Sequence, residues 1–390
     1  MRGAVLKNMT PAISICALVP YPLNTIPSQR FRMEQWFPAL REQGIDLHFL
    51  PFADERLMQL LYQSNNRAAK VAAMAAAMMR RIGDVITAGR YDAILLHRTA
   101  CLVGPALLER LLTLSGKPVI FDFDDAIFHL HTAEANRKFG WLKFPGKTAT
   151  ICRLSSHVIV GNAWLADYAR QFNTQVTIVP STVEVERFQP INLYENKEHV
   201  VVGWTGSSTS QTYLEAFVPM LRELTSRYDV ELRIHSDRQP NLPGVPYVWR
   251  KWTAATEAEE IGQFDIGLMP MPDVEWAKGK CAMKALLYMA LGVPAVCSAI
   301  GANCEVIQHD ENGLLVSTNE DWLTNIGRLV QDASLRQRLG MAGRRTVEAR
   351  YSKQYAAQLF ADVVRTTVNE AKLKQELDKW NPVSYKNKTP

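Results

Sequence analysis

Short apolar runs alternate with helical spacing in the first half of the chain. The predicted strands are residues 12–19, 46–52, 93–96, 119–123 and 158–160. The predicted helices include residues 31–43 and 67–86. Most of these strands are continuously apolar, which is typical of a parallel sheet that is covered on both faces. The alternation therefore predicts a doubly wound α/β domain.

The second half repeats this plan. Its predicted strands are residues 200–204, 230–235, 265–269 and 295–298. Its predicted helices are residues 209–227, 280–291, 322–330 and 334–348. Two Rossmann-like domains would face each other across a cleft, with a ligand at the carboxyl ends of both sheets.

The domain boundary is expected in the proline-containing, charged segment 179–198. We assign residues 1–188 to the first domain and 189–351 to the second. Residues 352–390 are expected to form a last helix, at 352–368, that packs back toward the first domain. The tail after Ala371 is charged and is expected to fray.

Composition narrows the class of protein. Hydrophobic residues make up 47% and charged residues 21%, which are ordinary values for a globular enzyme. No apolar run approaches the ~18–20 residues of a membrane span. The run at 12–19 is bounded by Pro11 and Pro20 and has no small-residue cleavage site, so we expect no secretory signal and a cytoplasmic protein. The six cysteines form no metal-binding spacing and are expected to be reduced.

The basic surplus lies in the first half of the chain. Residues 1–190 hold 21 of the 44 Lys and Arg but only 15 of the 39 Asp and Glu. This excess suits an anionic small molecule, a lipid phosphate or a membrane surface. No basic run is interleaved with aromatic residues, so nucleic acid is not an expected partner.

The predicted helix at 67–86 is amphipathic. Its apolar positions are Val71, Met74, Ala75, Met78, Met79, Ile82 and Ile86, and its other face carries Lys70, Arg80 and Arg81. Two interpretations stay open: a core helix of the first domain, or a helix that holds the protein at the inner face of an anionic membrane.

Two segments of the second half could bind an anion. Gly206, Ser207, Ser208 and Thr209 lie between a strand and a helix, where unpaired N–H groups attract phosphate, although many ordinary turns look the same. The second segment is more specific. Gly279 precedes a predicted helix on which Lys280 and Lys284 share one face, so the two lysines could neutralise a diphosphate or could simply be solvated.

The second half contains the blocks KALLYMALGVPAV at 284–296, IGANCEVI at 300–307, DENGLLV at 310–316, and LGMAGR at 339–344 followed by Tyr351 and Ser352. In order and spacing, these blocks resemble the group 1 (family four) retaining glycosyltransferases, which have the GT-B fold. Weaker matches in the first half, at 28–32, 96–98 and 121–125, look like the subgroup that makes bacterial surface polysaccharides.

The resemblance implies metal-independent transfer of a sugar from a nucleotide sugar, with retention at the anomeric carbon. The second domain would bind the donor, and the first would bind a glycan or lipid-linked acceptor. The donor diphosphate would contact the N–H groups of the helix start, which map to Lys280, Cys281, Ala282 and Met283. Gly301, Asn303 and Glu305 would lie beside the donor.

The chain departs from the family at two places. The family's Glu-x7-Glu pair falls at Gly279 and Leu287, so both carboxylates are missing. The Arg/Lys pair that follows the Gly-rich loop in the family is also missing, since Ser207, Ser208 and Thr209 stand in its place. Lys278, Lys280 and Lys284 could supply the positive charge instead.

The first domain supplies candidate catalytic carboxylates. Asp122, Asp124 and Asp125 end an apolar strand, and buried carboxylates are costly unless they are paired or solvated. We predict Asp124 and Asp125 as catalytic residues, with helix capping or a metal site as alternatives. Arg30, Arg98 and His97 are the predicted acceptor-side residues, and Arg32 is expected near the same edge.

The predicted function is a retaining glycosyltransferase in cell-surface polysaccharide synthesis, with no cofactor and no metal. Two alternatives stay open. One is a nucleotide-sugar epimerase of the same fold, and the other is a catalytically silent nucleotide-sugar-binding protein.

Overall fold

The computed structural model describes residues 13–63, 66–129, 144–191 and 199–380. Its strands are β1 (Ile13–Val19), β2 (Ile45–Pro51), β3 (Ala93–His97), β4 (Val119–Phe123), β5 (His157–Val160), β6 (Val176–Ile178), β7 (Val200–Gly206), β8 (Val230–Ser236), β9 (Val248–Lys251), β10 (Ile266–Met269), β11 (Ala295–Ser298) and β12 (Leu314–Val316). These strands match the predicted ones closely, and the structure adds β6, β9 and β12.

The helices lie between the strands and after the last of them. They are α1 (Pro27–Gln29), α2 (Phe37–Glu42), α3 (Glu55–Tyr62), α4 (Arg67–Thr87), α5 (Leu107–Thr113), α6 (Lys147–Leu154), α7 (Ala163–Arg170), α8 (Ser208–Glu215), α9 (Val218–Arg227), α10 (Glu257–Gly262), α11 (Glu275–Lys278), α12 (Met283–Ala290), α13 (Asn303–Val306), α14 (Asn319–Gln331), α15 (Ala333–Arg350) and α16 (Lys353–Trp380). A π-helical turn, Arg30–Glu34, separates α1 from α2.

The strands form two six-stranded parallel sheets. Their orders are β2-β1-β3-β4-β5-β6 and β12-β11-β10-β7-β8-β9. Each sheet has a separate apolar cluster on each of its faces, which explains why the central strands are continuously apolar. The predicted α/β class with two doubly wound domains is confirmed.

The last helix returns from the second domain to the first. The Phe360 ring of α16 lies 5.9 Å from the Trp36 ring, and the Arg365 guanidinium donates to the Gln43 carbonyl at 2.9 Å. The predicted end at residue 368 is wrong, because α16 continues to Trp380. No Gly or Pro interrupts this stretch, so its mostly exposed end keeps the helical conformation that Lys, Glu, Gln and Leu favour.

Prolines divide two predicted helices. The predicted helix at 209–227 is two helices, α8 and α9, because Pro219 lacks the N–H that a continuous helix would need there. The segment 31–43 is likewise divided into the π-helical turn and α2, with Pro38 in the first turn of α2. Proline at that position costs no intrahelical hydrogen bond.

The helix α4 is turned differently from its predicted orientation. Arg81, assigned to the polar face, is fully buried, whereas Val71, Met79 and Ile86 are exposed. The Arg81 guanidinium donates to the carbonyls of Val19 and Leu50 at 3.0 and 2.8 Å, at the ends of β1 and β2. These hydrogen bonds, and an ion pair of Arg81 with Asp84 at 3.4 Å, offset part of the cost of its burial. None of the described helices has the length and hydropathy needed to cross a membrane.

Candidate active site

A pocket of about 170 Å³ lies between the two domains. The first domain and the linker contribute Pro27, Ser28, Phe31, Arg98, Asp124, Asp125 and Ser181. The second domain contributes Ser210, Tyr213, Met269, Met271, Lys280, Cys281, Ala282, Met283 and Lys284. Eight predicted site residues therefore meet here, because parallel strands of both domains end at this cleft.

Asp124 follows β4 and is held by an arginine that follows β3. Its Oδ1 accepts from Arg98 Nε at 2.9 Å and from Arg98 Nη2 at 2.7 Å. Burial alone would raise the pKa of Asp124, but the Arg98 guanidinium lowers it below the usual carboxyl range. Asp124 is therefore an ionised carboxylate and a weak proton acceptor.

Asp125 joins the two domains across the pocket. Lys280 Nζ donates to its Oδ2 and Oδ1 at 2.9 and 3.1 Å. The same ammonium lies 4.6 Å from the centroid of the Trp276 ring. Next to this pair, Cys281 Sγ donates to the Asp124 carbonyl at 3.2 Å, and burial raises the pKa of this thiol to about 12. Cys281 is thus a neutral contact between the domains.

Lys284 points a second positive charge at the pocket. Its ammonium lies 5.5 Å from the Trp204 ring and pairs with no carboxylate in the part of the chain that the structure describes. Burial, with Lys280 nearby, lowers the pKa of Lys284 to about 8. A half-buried lysine without a counter-ion is well suited to an anionic ligand.

The loop before α12 differs from its prediction. The helix begins at Met283, not at Lys280, and Ala282 has a left-handed conformation with φ 53°. Lys280 and Lys284 therefore do not share a helix face, although both line the pocket. Arg98 is also left-handed, with φ 59°. Non-glycine residues in this region are strained, and such strain is often kept at functional sites.

A buried polar cluster supports the first-domain wall of the pocket. Asp122 Oδ1 accepts from Arg32 Nη2 at 2.5 Å, and Asp122 Oδ2 is 2.7 Å from His97 Nδ1. The other His97 nitrogen is 3.2 Å from Ser28 Oγ, which lines the pocket. Burial would raise the pKa of Asp122, but Arg32 and His97 lower it. His97 and Arg32 are thus buried behind the pocket wall, and neither is among the residues that line the pocket.

The Gly206 loop lies outside the pocket. The Ser208 N–H donates to Asp237 Oδ1 at 2.6 Å, and Ser207 Oγ bonds Thr209 Oγ1 at 2.8 Å. The start of α8 is therefore occupied by a carboxylate of this chain, and only Ser210 and Tyr213 of this helix line the pocket. A Cβ at Gly206 would lie 2.5 Å from the Trp204 ring, so packing against this ring explains the glycine.

The predicted donor residues at 301–305 also lie elsewhere. Asn303 is buried, and its amide donates to the Ser298 carbonyl at 2.9 Å. Both carboxylate oxygens of Glu305 accept from the Ala163 N–H, at 3.1 and 3.2 Å. Glu305 thus caps the start of α7 in the first domain. At Gly301, φ is 54° and a Cβ would lie 2.8 Å from the Lys278 carbonyl, so close packing of two loops requires this glycine.

Arg30 contacts the second domain instead of the pocket. Its guanidinium lies 3.9 Å from the buried Glu257, which also accepts from Trp252 Nε1 at 3.0 Å. Arg187 of the linker approaches the same carboxylate at 3.9 Å. This cluster holds the domains together, and it corrects the prediction of Arg30 as an acceptor-side residue.

The structure explains the missing family carboxylates. A Cβ at Gly279 would lie 2.8 Å from Ala126 Cβ and 2.9 Å from the Ala126 nitrogen, so the first domain leaves no room for a glutamate. Leu287, at the second position, is buried in the core of the second domain. The pocket is consequently built from lysines of the second domain and carboxylates of the first.

Restoring the first carboxylate should therefore disturb the domain contact. We expect Gly279→Glu to lower the free energy of unfolding by about 1–3 kcal/mol, the usual cost of overpacking. Gly83→Glu is the matched control, since a Cβ at Gly83 meets no atom within 4 Å. Thermal melts of both variants test this, and a Gly279→Glu variant that melts with the parent would contradict the described contact.

Several lining residues escaped the sequence prediction, namely Pro27, Ser28, Phe31, Ser181, Ser210, Tyr213, Met269 and Met271. Met269 ends β10, so its position at a strand terminus is a signal that could have identified it. The described residues contain no group of three or more His, Cys, Asp or Glu side chains arranged to hold a metal ion.

Comparisons with known proteins agree with this architecture. The family model for group 1 glycosyl transferases matches residues 199–332. No match was found among curated protein sequences. Sucrose-phosphate synthase from Thermosynechococcus elongatus has a TM-score of 0.63 and 15% identity, over 91% of this chain and 98% of that chain. A glycosyltransferase from Rickettsia africae has a TM-score of 0.63 and 14% identity, over 91% of this chain and 98% of that chain.

A third solved structure was determined with ligands. Anabaena HepE in complex with UDP and glucose has a TM-score of 0.61 and 12% identity, over 91% of this chain and 100% of that chain. The fold is thus the GT-B architecture of two facing Rossmann-like domains. The resemblance drawn from the sequence blocks is confirmed by this fold and by the match of residues 199–332, in the second domain, to the group 1 glycosyltransferase model.

Proposed function

We propose that the chain is a retaining glycosyltransferase that uses a nucleoside-diphosphate sugar as donor. Its acceptor is a glycan or lipid-linked hydroxyl in cell-surface polysaccharide synthesis. The observation that carries the proposal is the pocket in which Lys280 and Lys284 of the second domain face Asp124, Asp125 and Arg98 of the first. Cations on one wall suit the diphosphate, and polar groups on the other suit the sugar and the acceptor.

A solved structure of the same fold suggests which donor nucleotides to test first. HepE was solved with UDP, with UDP-glucose, and with UDP and glucose, and it shares this fold. Uridine diphosphate sugars are therefore the first candidates. The alternative of an epimerase is disfavoured, because the second-domain residues that line the pocket include no carboxylate and no histidine.

The state of the two carboxylates supports the proposal of retention. Arg98 lowers the pKa of Asp124, and Lys280 pairs with Asp125, so neither is a good base for the acceptor hydroxyl. A departing phosphate oxygen can take that proton instead, which places the acceptor on the face of the sugar that the diphosphate leaves. Lys280 and Lys284 would stabilise the charge that develops on the diphosphate.

Donor hydrolysis tests the proposal without knowledge of the acceptor. We expect the chain to release a nucleoside diphosphate and a free sugar slowly from at least one member of a panel of UDP-, GDP- and ADP-sugars. Nuclear magnetic resonance of the first product should show the anomer of the donor. Failure to bind or cleave any donor would contradict the proposed function, and an inverted product would contradict retention.

Lys284→Ala should weaken binding of the nucleoside diphosphate. Loss of a charge-assisted hydrogen bond costs about 1.5–3 kcal/mol, which is roughly a 10- to 150-fold change in Kd. Lys372→Ala, at an exposed position of α16, is the control and should bind as the parent does. Calorimetric titration measures both, and equal affinities would show that Lys284 does not contact the ligand.

Affinity should also depend on pH through Lys284. Because the pKa of this lysine is lowered to about 8, the free chain loses the positive charge as pH rises through that value. Diphosphate affinity should therefore fall above pH 8 in the parent. It should stay level in Lys284→Arg, since a guanidinium keeps its charge there. A parent affinity that is constant from pH 7 to about 9 would contradict this assignment.

A further inference from the structure

A chain of hydrogen bonds connects a buried carboxylate to the pocket through a histidine and a serine. His97 Nδ1 lies 2.7 Å from Asp122 Oδ2, and His97 Nε2 lies 3.2 Å from Ser28 Oγ. Asp122 and His97 are buried, whereas Ser28 lines the pocket. The Ser28 hydroxyl is therefore the link between this histidine and a bound ligand.

The order of donors and acceptors in this chain is fixed by Asp122. Arg32 donates to both of its oxygens, at distances from 2.5 to 3.1 Å. Although burial opposes ionisation, Arg32 and His97 lower the pKa of Asp122, so this group is a carboxylate. A carboxylate only accepts hydrogen bonds, and His97 Nδ1 consequently carries a proton and donates it. Nε2 is then the nitrogen that gains or loses the second proton of the imidazole.

The Ser28 hydroxyl has one proton and two competing acceptors. One acceptor is His97 Nε2 when this nitrogen is unprotonated, and the other is Asp124. Burial would raise the pKa of Asp124, but Arg98 and other nearby groups, among them Ser28 through a hydrogen bond, lower it. Both hydrogen bonds from Arg98 go to Oδ1, so Oδ2 is the oxygen of Asp124 that remains for Ser28 or for a ligand.

We propose that Ser28 and His97 are positioning residues that set the charge which Asp124 presents to the sugar. When Nε2 is unprotonated, the Ser28 hydroxyl donates to His97 and leaves Asp124 Oδ2 to the sugar. When Nε2 is protonated, the imidazolium donates to Ser28, whose own hydrogen turns to Asp124. This added hydrogen bond disperses the carboxylate charge and weakens its stabilisation of the transition state. The inference rests on the proposed glycosyl transfer.

The proton that His97 gains enters from the pocket. As Ser28 Oγ takes a proton from solvent in the pocket, the original hydroxyl proton moves to Nε2, so the serine stays neutral and the imidazole becomes a cation. The charged groups that face this imidazole form two ion pairs, Arg32 with Asp122 and Arg98 with Asp124. The whole cluster is therefore neutral when His97 is neutral and carries one positive charge when His97 is protonated.

The pH dependence of donor hydrolysis tests this arrangement. At saturating donor, the kcat of the parent should rise about fivefold between about pH 5.5 and 7.5. In Ser28→Ala, Asp124 keeps the same hydrogen bonds at both pH values, so the rise should be less than about twofold. Ser28→Thr keeps the hydroxyl and should retain the rise of the parent. Thr177→Ala is the matched control, because it removes a hydroxyl 2.9 Å from another first-domain histidine, His157, outside the pocket.

Nuclear magnetic resonance of the imidazole nitrogens tests the proposal without turnover. We expect a proton on His97 Nδ1 throughout, and we expect Nε2 to gain a proton as the pH falls. Comparison with His97→Gln assigns the signals. The midpoint of this titration should move in Ser28→Ala, which removes the partner of Nε2, and should not move in Thr177→Ala.

The outcomes separate this inference from the proposed function. A parent that hydrolyses no donor would contradict both. An active parent whose pH dependence is unchanged in Ser28→Ala would overturn the positioning role alone. An Nε2 that keeps one protonation state across about pH 5–9 would also overturn it. Circular dichroism and thermal melts check that each variant is folded.

Discussion

Asp124→Asn is expected to lower turnover by at least about 100-fold while donor affinity stays within a few-fold of the parent. Asp124 is an ionised carboxylate at the wall of the pocket, held by two hydrogen bonds from Arg98. In the proposed reaction, positive charge develops on the sugar as the diphosphate leaves. A fixed carboxylate stabilises that charge in the transition state more than in the bound donor. The amide keeps the size of the side chain but lacks the charge.

This prediction separates a catalytic role from a structural one. A loss of kcat without a loss of donor affinity is the signature of an interaction made in the transition state. The control is Asp167→Asn, an exposed aspartate of the same domain, which should keep full activity. Comparable turnover of the parent and Asp124→Asn at saturating donor would show that this carboxylate serves only to hold Arg98.

Asp122→Asn is expected to lower the free energy of unfolding by about 3–5 kcal/mol, because it leaves a buried arginine without its counter-ion. Arg32 and Asp122 are both buried, and their closest atoms are 2.5 Å apart. The same carboxylate also orients His97. Neither group can be solvated in place, so the loss is much larger than that of a surface pair.

Urea unfolding measures this difference. Asp167→Asn again serves as the control, since its pair with Arg170 is exposed and should contribute less than about 1 kcal/mol. An Asp122→Asn variant within about 1 kcal/mol of the parent would contradict the ion pair described here. Substitution of the two aspartates at this strand end should therefore affect different quantities: the free energy of unfolding for Asp122 and turnover for Asp124.

The sequence predicted the sheets well because their signal is local. The apolar run at 119–123 coincides with β4, and the aspartates after it lie at the pocket because a parallel strand ends there. Helix limits were less accurate. Pro219 divides a predicted helix, and the left-handed Ala282 delays the start of α12 to Met283. These features depend on single residues that periodicity does not reveal.

Contacts between distant residues could not be predicted from local patterns. Asp122 and Arg32 are 90 positions apart, and Glu305 caps a helix 142 positions earlier in the chain. The predicted role of Glu305 beside the donor came from its place in a family motif, which does not reveal what the other domain brings near it. The absence of a side chain at Gly279 likewise reflects the approach of Ala126 from the first domain.

The most direct test of the account is a crystal structure of the chain with the tightest-binding nucleoside diphosphate. We predict that the diphosphate lies in the pocket between the domains, with its oxygens within hydrogen-bond distance of Lys284 Nζ. Lys280 should then share its charge between the ligand and Asp125. A diphosphate bound instead at the start of α8, beside Ser207 and Ser208, with no contact to either lysine, would contradict the assignment of this pocket as the donor site.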